Sequence, residues 1–125
     1  MTCDDLTVAA GVRRYLATVA TGTAADVAAL YAPEAVLEDP VGSQPRRGRE
    51  AIREFYATIE AMPKTTELLT LRTCGGQGAF HFRIVVDLGG GLTSTMEPLE
   101  VMEFDDDGLI TAMRAWWGEQ DLVIA

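Results

Sequence analysis

The sequence predicts an α+β fold, three helices followed by an antiparallel-rich sheet; a sheet of that kind strongly curved around the helices would make a cone with a pocket at its open end. Three observations carry this reading. Apolar residues recur at helical spacing as far as Pro63. Beyond Pro63 the apolar period changes to two. Glycine-rich and aspartate-rich clusters cut that second part into strand-length pieces. Helices grouped before strands is an α+β order, with the helices on one side of a sheet. At 125 residues the chain is expected to form one domain over 1–125.

The first helix is expected over 5–21, because Val8, Val12, Tyr15 and Val19 fall on one face and Gly22 ends it. A second helix is read over 24–32, with Val27, Leu30 and Tyr31 inward and Pro33 as its stop. Residues 35–39 are a short extended piece, turned by Pro40-Val41-Gly42. The third helix is read from Arg49 to Ala61, its inner face being Ile52, Phe55, Tyr56 and Ile59. Strands follow near 65–73, 79–88, 92–104 and 109–118 as a four-stranded meander. Their joins are Gly75-Gly76-Gln77-Gly78, Gly89-Gly90-Gly91 and Asp105-Asp106-Asp107-Gly108. The glycine runs lack the lysine and following helix of a phosphate loop. The aspartate run lacks calcium-loop spacing.

Composition excludes several functions. A net charge of −9 opposes binding to nucleic acid or to an anionic membrane surface. No apolar run reaches spanning length, and the start Met1-Thr2-Cys3-Asp4-Asp5 is acidic where a secretory signal is basic, so a cytoplasmic protein is expected. Cys3, on an end expected to fray, and Cys74 read as two free thiols. The single histidine, His81, supplies neither a zinc cluster nor an evident nucleophile partner.

The informative residues are polar groups on apolar faces. Met96, Pro98, Glu100, Met102 and Phe104 share one parity, and Glu100 is its single charge. If that row faces inward, poor solvation raises the carboxyl pKa and favours a neutral donor; if it faces water, Glu100 is an ordinary surface acid. On spacing alone Asp39, before Pro40, reads first as a turn-forming residue and only second as another inward carboxyl. Tyr15, Tyr31 and Tyr56 stand one on each expected helix, where buried phenols need partners. Phe80, Phe82, Ile84 and Val86, then Leu109, Met113 and Trp117, form apolar inner rows that suit either a core or an oily cavity. A dry pocket with two carboxyls and several phenols suits proton transfer beside a carbonyl.

Leu37-Glu38-Asp39-Pro40-Val41-Gly42-Ser43-Gln44-Pro45, then Gly48 and Ala51-Ile52-Arg53-Glu54-Phe55-Tyr56, closely resembles the bacterial Δ5-3-ketosteroid isomerases. The likeness runs over nearly the whole chain, through Arg14-Tyr15, Tyr31-Ala32, Met113-Arg114-Ala115 and Gly118-Glu119. It implies a cone of the NTF2-like (cystatin-like) kind and isomerisation of 3-oxo-Δ5-steroids without a cofactor or metal. By position Asp39 matches the family's general base and Tyr15 its oxyanion-hole tyrosine. Tyr31 and Tyr56 match a supporting hydrogen-bond network, and Phe82, Met113 and Trp117 match pocket-lining positions. The family is itself the standard example of a carboxylic acid kept neutral in an apolar site. Here that position is Glu100 in place of the family's usual Asp, one methylene longer. The resemblance also implies a homodimer through the outer sheet face, with Val101, Ile110 and Trp116 on the outward parity. Two rivals share the cone: a dehydratase or polyketide cyclase, and a non-catalytic binder of hydrophobic ligands.

Overall fold

The computed structural model describes residues 3–125. Met1 and Thr2, part of the acidic start, lie outside the described residues. Helix α1 spans Asp5–Thr21, α2 Ala24–Ala28 and α3 Arg49–Ala57. The strands are β1 Tyr31–Glu38, β2 Arg46–Arg47, β3 Lys64–Cys74, β4 Gln77–Gly89, β5 Leu92–Met96, β6 Leu99–Phe104, β7 Ile110–Trp116 and β8 Val123–Ile124. They form one sheet in the order β2-β1-β7-β6-β4-β5-β8, with β3 on the other edge of β4. The sheet is antiparallel apart from the β1–β7 pair, which is parallel. The α+β cone expected from sequence is thus present, with more strands than the meander foresaw.

Helix α1 matches its expected span, because both of its ends are written locally. Asp4 caps its first turn by accepting from the Thr7 amide at 2.7 Å. Gly22 donates to the Thr18 carbonyl at 2.7 Å to close the last. Its buried face, Val8, Val12, Tyr15, Leu16 and Val19, lies on the sheet. Two glycines set how closely: a Cβ on Gly11 would stand 2.7 Å from the Phe104 ring, and one on Gly78 would meet Val12 and Val8 at 3.0 and 3.1 Å. Gly78 therefore belongs to strand β4 and not to the turn, which is only Gly75-Gly76.

Five expectations need correction. Helix α2 ends at Ala28, and Tyr31 and Pro33 lie in strand β1. Proline disfavours a helical residue before it, which turns Ala32 extended; the β1–β7 register shifts between Tyr31 and Val36, so the missing Pro33 donor breaks no regular ladder. Helix α3 stops at Ala57, and residues 58–62 continue as i+3 turns, with Lys64 Nζ donating to the Ile59 and Met62 carbonyls at 2.8 and 2.9 Å. The strand read as 92–104 is interrupted at Glu97-Pro98. Ile110 is core, 1 % exposed, and Leu109 is only half-buried. A bulge between the Glu103–Ala112 and Phe104–Ile110 pairs reverses the parity at that point. Cys3 is also buried, at 7 %, against the expectation of a frayed end.

The interruption at Pro98 leaves the register intact. Phe80 faces Glu100 across the β4–β6 pair and Ile84 faces Met96 across β4–β5, so both pairs obey one count. The Phe82 amide donates to the Pro98 carbonyl at 3.4 Å between them. Phe80, Phe82, Ile84 and Val86 therefore look across at Glu100, Pro98, Met96 and Ser94 on one face of the sheet.

Candidate active site

Asp39 follows strand β1 directly, and the Asp39–Pro40 peptide is cis. The next turn is tied down on two sides. The Val41 amide donates to the Ala115 carbonyl of β7 at 2.8 Å, and Ser43 Oγ donates to the Pro40 carbonyl at 2.6 Å. This holds Asp39 half-buried beside the end of β7, where Trp117 Nε1 donates to its Oδ1 at 2.6 Å. Burial raises the Asp39 pKa above the ordinary carboxyl range, while the Trp117 hydrogen bond and the charge of Arg46 draw it back. The outcome is a carboxylate of strengthened basicity.

Glu100 stands on β6 and is 3 % exposed. Of the two orientations left open by its sequence parity, the inward one is adopted. Burial pushes its pKa well above the usual carboxyl range, and the charge of Asp39 pushes it further. Its Oε1 is buried with no hydrogen-bond partner among the described residues. A buried carboxyl oxygen without a protein partner is costly, which makes this group a candidate to hydrogen-bond a ligand.

The three tyrosines converge, though from two helices and a strand. Tyr15 hydroxyl lies 2.9 Å from that of Tyr56, which lies 2.7 Å from that of Tyr31. All three phenols are buried, and burial leads the causes that hold each pKa well above its ordinary value. They stay protonated at neutral pH. If Tyr31 donates to Tyr56 and Tyr56 to Tyr15, the proton of Tyr15 is left for a ligand.

Tyr15, Asp39, Tyr56 and Glu100 share one cavity of about 210 Å³. Of the expected site residues, Tyr15, Asp39, Tyr56, Phe82, Glu100 and Trp117 line it. Tyr31 stands behind Tyr56, outside the lining, and Met113 is packed in the core at 1 % exposure. The remaining wall is apolar, chiefly Val19, Phe55, Ile59, Ile84, Val86, Met96 and Pro98, with Ser94 at its far end. Two features were not read from sequence. The Trp117–Asp39 hydrogen bond joins residues far apart in the chain and left no local trace. Ser94 did leave one, since it shares the parity of Met96 and Glu100. Among the described residues no cluster of His, Cys, Asp and Glu is placed to hold a metal ion.

A conical sheet around helices, enclosing acidic and phenolic groups in an apolar pocket, defines the class: residues 12–113 match the SnoaL-like domain model, and the chain belongs to that family. The narrower assignment comes from a Steroid Delta-isomerase of Nocardioides simplex. The chain is 50 % identical to it over 117 residues, 94 % of each protein, and so belongs to the steroid delta-isomerases, which are isomerases by class. A more distant relative is the Epoxide hydrolase LasB of Streptomyces lasalocidi, 32 % identical over 117 residues, covering 74 % of this chain and 41 % of that protein. Among solved structures, the epoxide hydrolase/cyclase-like enzyme SalBIII superposes with a TM-score of 0.86 at 25 % identity, over 98 % of both chains. RV0760c of Mycobacterium tuberculosis does so at 0.86 and 22 %, over 95 % of this chain and 96 % of its own, and speaks for the fold. No helix among the described residues is long and apolar enough to cross a membrane.

Proposed function

We propose that the chain converts 3-oxo-Δ5-steroids to 3-oxo-Δ4-steroids by carrying one proton from C4 to C6. The observation that carries this reading is a pair of carboxyls with opposed tasks in one apolar cavity. Asp39 is fitted to take a proton, and Glu100, kept neutral, to donate a hydrogen bond. In the proposed sequence the ketone enters toward Tyr15 and Glu100. Asp39 removes the C4 proton, and the electron pair moves through the ring to the oxygen, giving a dienolate. That oxygen accepts from Tyr15 and from protonated Glu100, which replace water as preorganised donors. Asp39 then returns the proton to C6, and the double bond comes into conjugation with the ketone. No atom is gained or lost, so the step calls for no cofactor.

Further parts of the reading are the assembly and its setting. The outer face of β6 and β7 pairs Leu99 with Trp116, 55 % and 41 % exposed, beside half-buried Val101. We assign this strip to a homodimer contact; Ile110 takes no part. The free thiols Cys3 and Cys74 suit a reducing, cytoplasmic setting.

The test is direct. Purified protein mixed with 5-androstene-3,17-dione is expected to develop the absorbance of the conjugated enone. Asp39→Asn should abolish nearly all of that conversion while leaving steroid binding in place. Conversion by Asp39→Asn at the wild-type rate would sink the mechanism. Its relatives' names also favour epoxide opening by the same acid–base pair; turnover of a hydroxy-epoxide with no turnover of the steroid would select that reading.

A further inference from the structure

The cavity wall is polar at two places. One is the group of Tyr15, Asp39, Tyr56, Glu100 and Trp117; the other is Ser94 alone. Ser94 lies on β5 opposite Val86, and both side chains line the cavity. Its hydroxyl takes no hydrogen bond from the fold among the described residues. The backbone beneath it is held on both edges. β4 pairs with one side of β5, and on the other Ser94 pairs with Ile124 of β8, while Thr93 and Ala125 exchange bonds of 2.9 and 3.1 Å. A hydroxyl on a strand anchored on both edges is a fixed reading head, not a floppy surface group.

Its distance from the reacting end follows from the register. Ser94 and Glu100 are six residues apart on one face of a ladder that keeps its count through Pro98. At the usual rise this is about 20 Å along the strand, less across the curve of the sheet. A rigid four-ring nucleus with an oxygen at each end, plus one hydrogen bond at each end, fills that span. Between the two ends the wall offers Met96 and Pro98, with Ile84 and Phe82 opposite, and no polar side chain.

We propose that Ser94 is a specificity-determining residue that hydrogen-bonds the distal oxygen, the C17 ketone or hydroxyl, of a steroid whose C3 ketone faces Tyr15 and Glu100. This rests on the orientation given under Proposed function. Ser94 touches no reacting atom, so its effect belongs to binding and not to the chemical step.

The experiment compares two substrates with the same reacting ring, 5-androstene-3,17-dione and 5-androsten-3-one. In the wild type the 17-oxo steroid should be favoured in kcat/KM by about fivefold, the size of one neutral hydrogen bond. Ser94→Ala should raise KM for the 17-oxo steroid by that factor, leave its kcat unchanged and leave the 17-deoxy steroid unaffected. Ser94→Thr, which keeps a hydroxyl, should restore the preference. Equal effects on both steroids, or none on either, would overturn the assignment. Equilibrium binding of the matching Δ4 enones, followed by tryptophan fluorescence, separates this idea from the reaction itself. A Ser94-dependent preference for the 17-oxo enone without any isomerisation would remove the proposed reaction and keep the subsite. Isomerisation with no preference for the 17-oxo steroid would keep the reaction and remove the subsite. Failure to bind either enone would remove both.

Discussion

In the proposed reaction, Glu100 is the residue on which the chemistry turns. It is buried on β6, one methylene longer than the Asp that the ketosteroid isomerase resemblance implies there, and its Oε1 has no hydrogen-bond partner among the described residues. Its raised pKa is also a statement about stability. The folded state holds this proton more tightly than the unfolded chain, so the contribution is fully present below the unfolded pKa and is lost as pH rises toward the folded one. Glu100→Gln should therefore gain stability over the wild type as pH rises from acid to neutral, and lose that advantage at acid pH; paired thermal melts across pH check this. A carboxyl resonance of Glu100 that titrates in the ordinary glutamate range would contradict the proposed role of a neutral donor. Glu100→Ala should slow turnover more than it weakens steroid binding. Much of this was visible beforehand, because a lone charge within an apolar parity row is a local signal. Asp39 was not: spacing left it a turn residue before proline, and only the family resemblance and the Trp117 contact set it apart.

At the scale of elements, the legible parts are those whose ends are written in nearby residues. Helix α1 carries an aspartate cap, an apolar stripe and a terminal glycine, and its span matches the sequence reading. The end of helix α2 and the start of β7 at Ile110 do not, since both depend on strand pairing with distant partners. β1 runs parallel to β7, a contact between residues about 80 apart that no local period encodes. The two close-approach glycines were hidden for the same reason. Gly78 looked like one more turn glycine, yet its lack of a side chain is what lets Val8 and Val12 reach the sheet. Replacing Gly11 by Ala should cost about 1–3 kcal/mol through overpacking against Phe104. Chemical denaturation would reveal it as a lowered midpoint with an unchanged slope. Because α1 also carries Tyr15, the same variant should disturb turnover beyond its loss of stability.

Over the whole molecule, one buried cluster runs from α1 through β1 and β7 to β4, and the cavity is the part of that interior left open. The apolar surface is a separate matter. Leu99 and Trp116 are cross-strand neighbours, with the Arg114 guanidinium 5.5 Å from the Trp116 ring. In the homodimer proposed above, this strip would face the same strip of a second copy, apolar against apolar. Trp116→Asp together with Leu99→Asp should give a monomer by sedimentation. A wild-type protein that sediments as a monomer at the same concentration would remove the dimer.

The unbroken register through Pro98 has one more implication, for how this wall can vary in length. Its inward residues fall on every second position from Glu100 to Ser94, so the two ends of the cavity share a single counting frame. Removing or adding one residue anywhere between them would transpose the faces beyond it, placing Thr95 or Glu97 inside and Ser94 or Met96 outside. A change of two residues would leave the frame whole and merely shift the distal hydroxyl by about 7 Å, two strand residues. The wall can therefore be lengthened or shortened only in even steps, and each step would suit a ligand longer or shorter by about the width of several bonds.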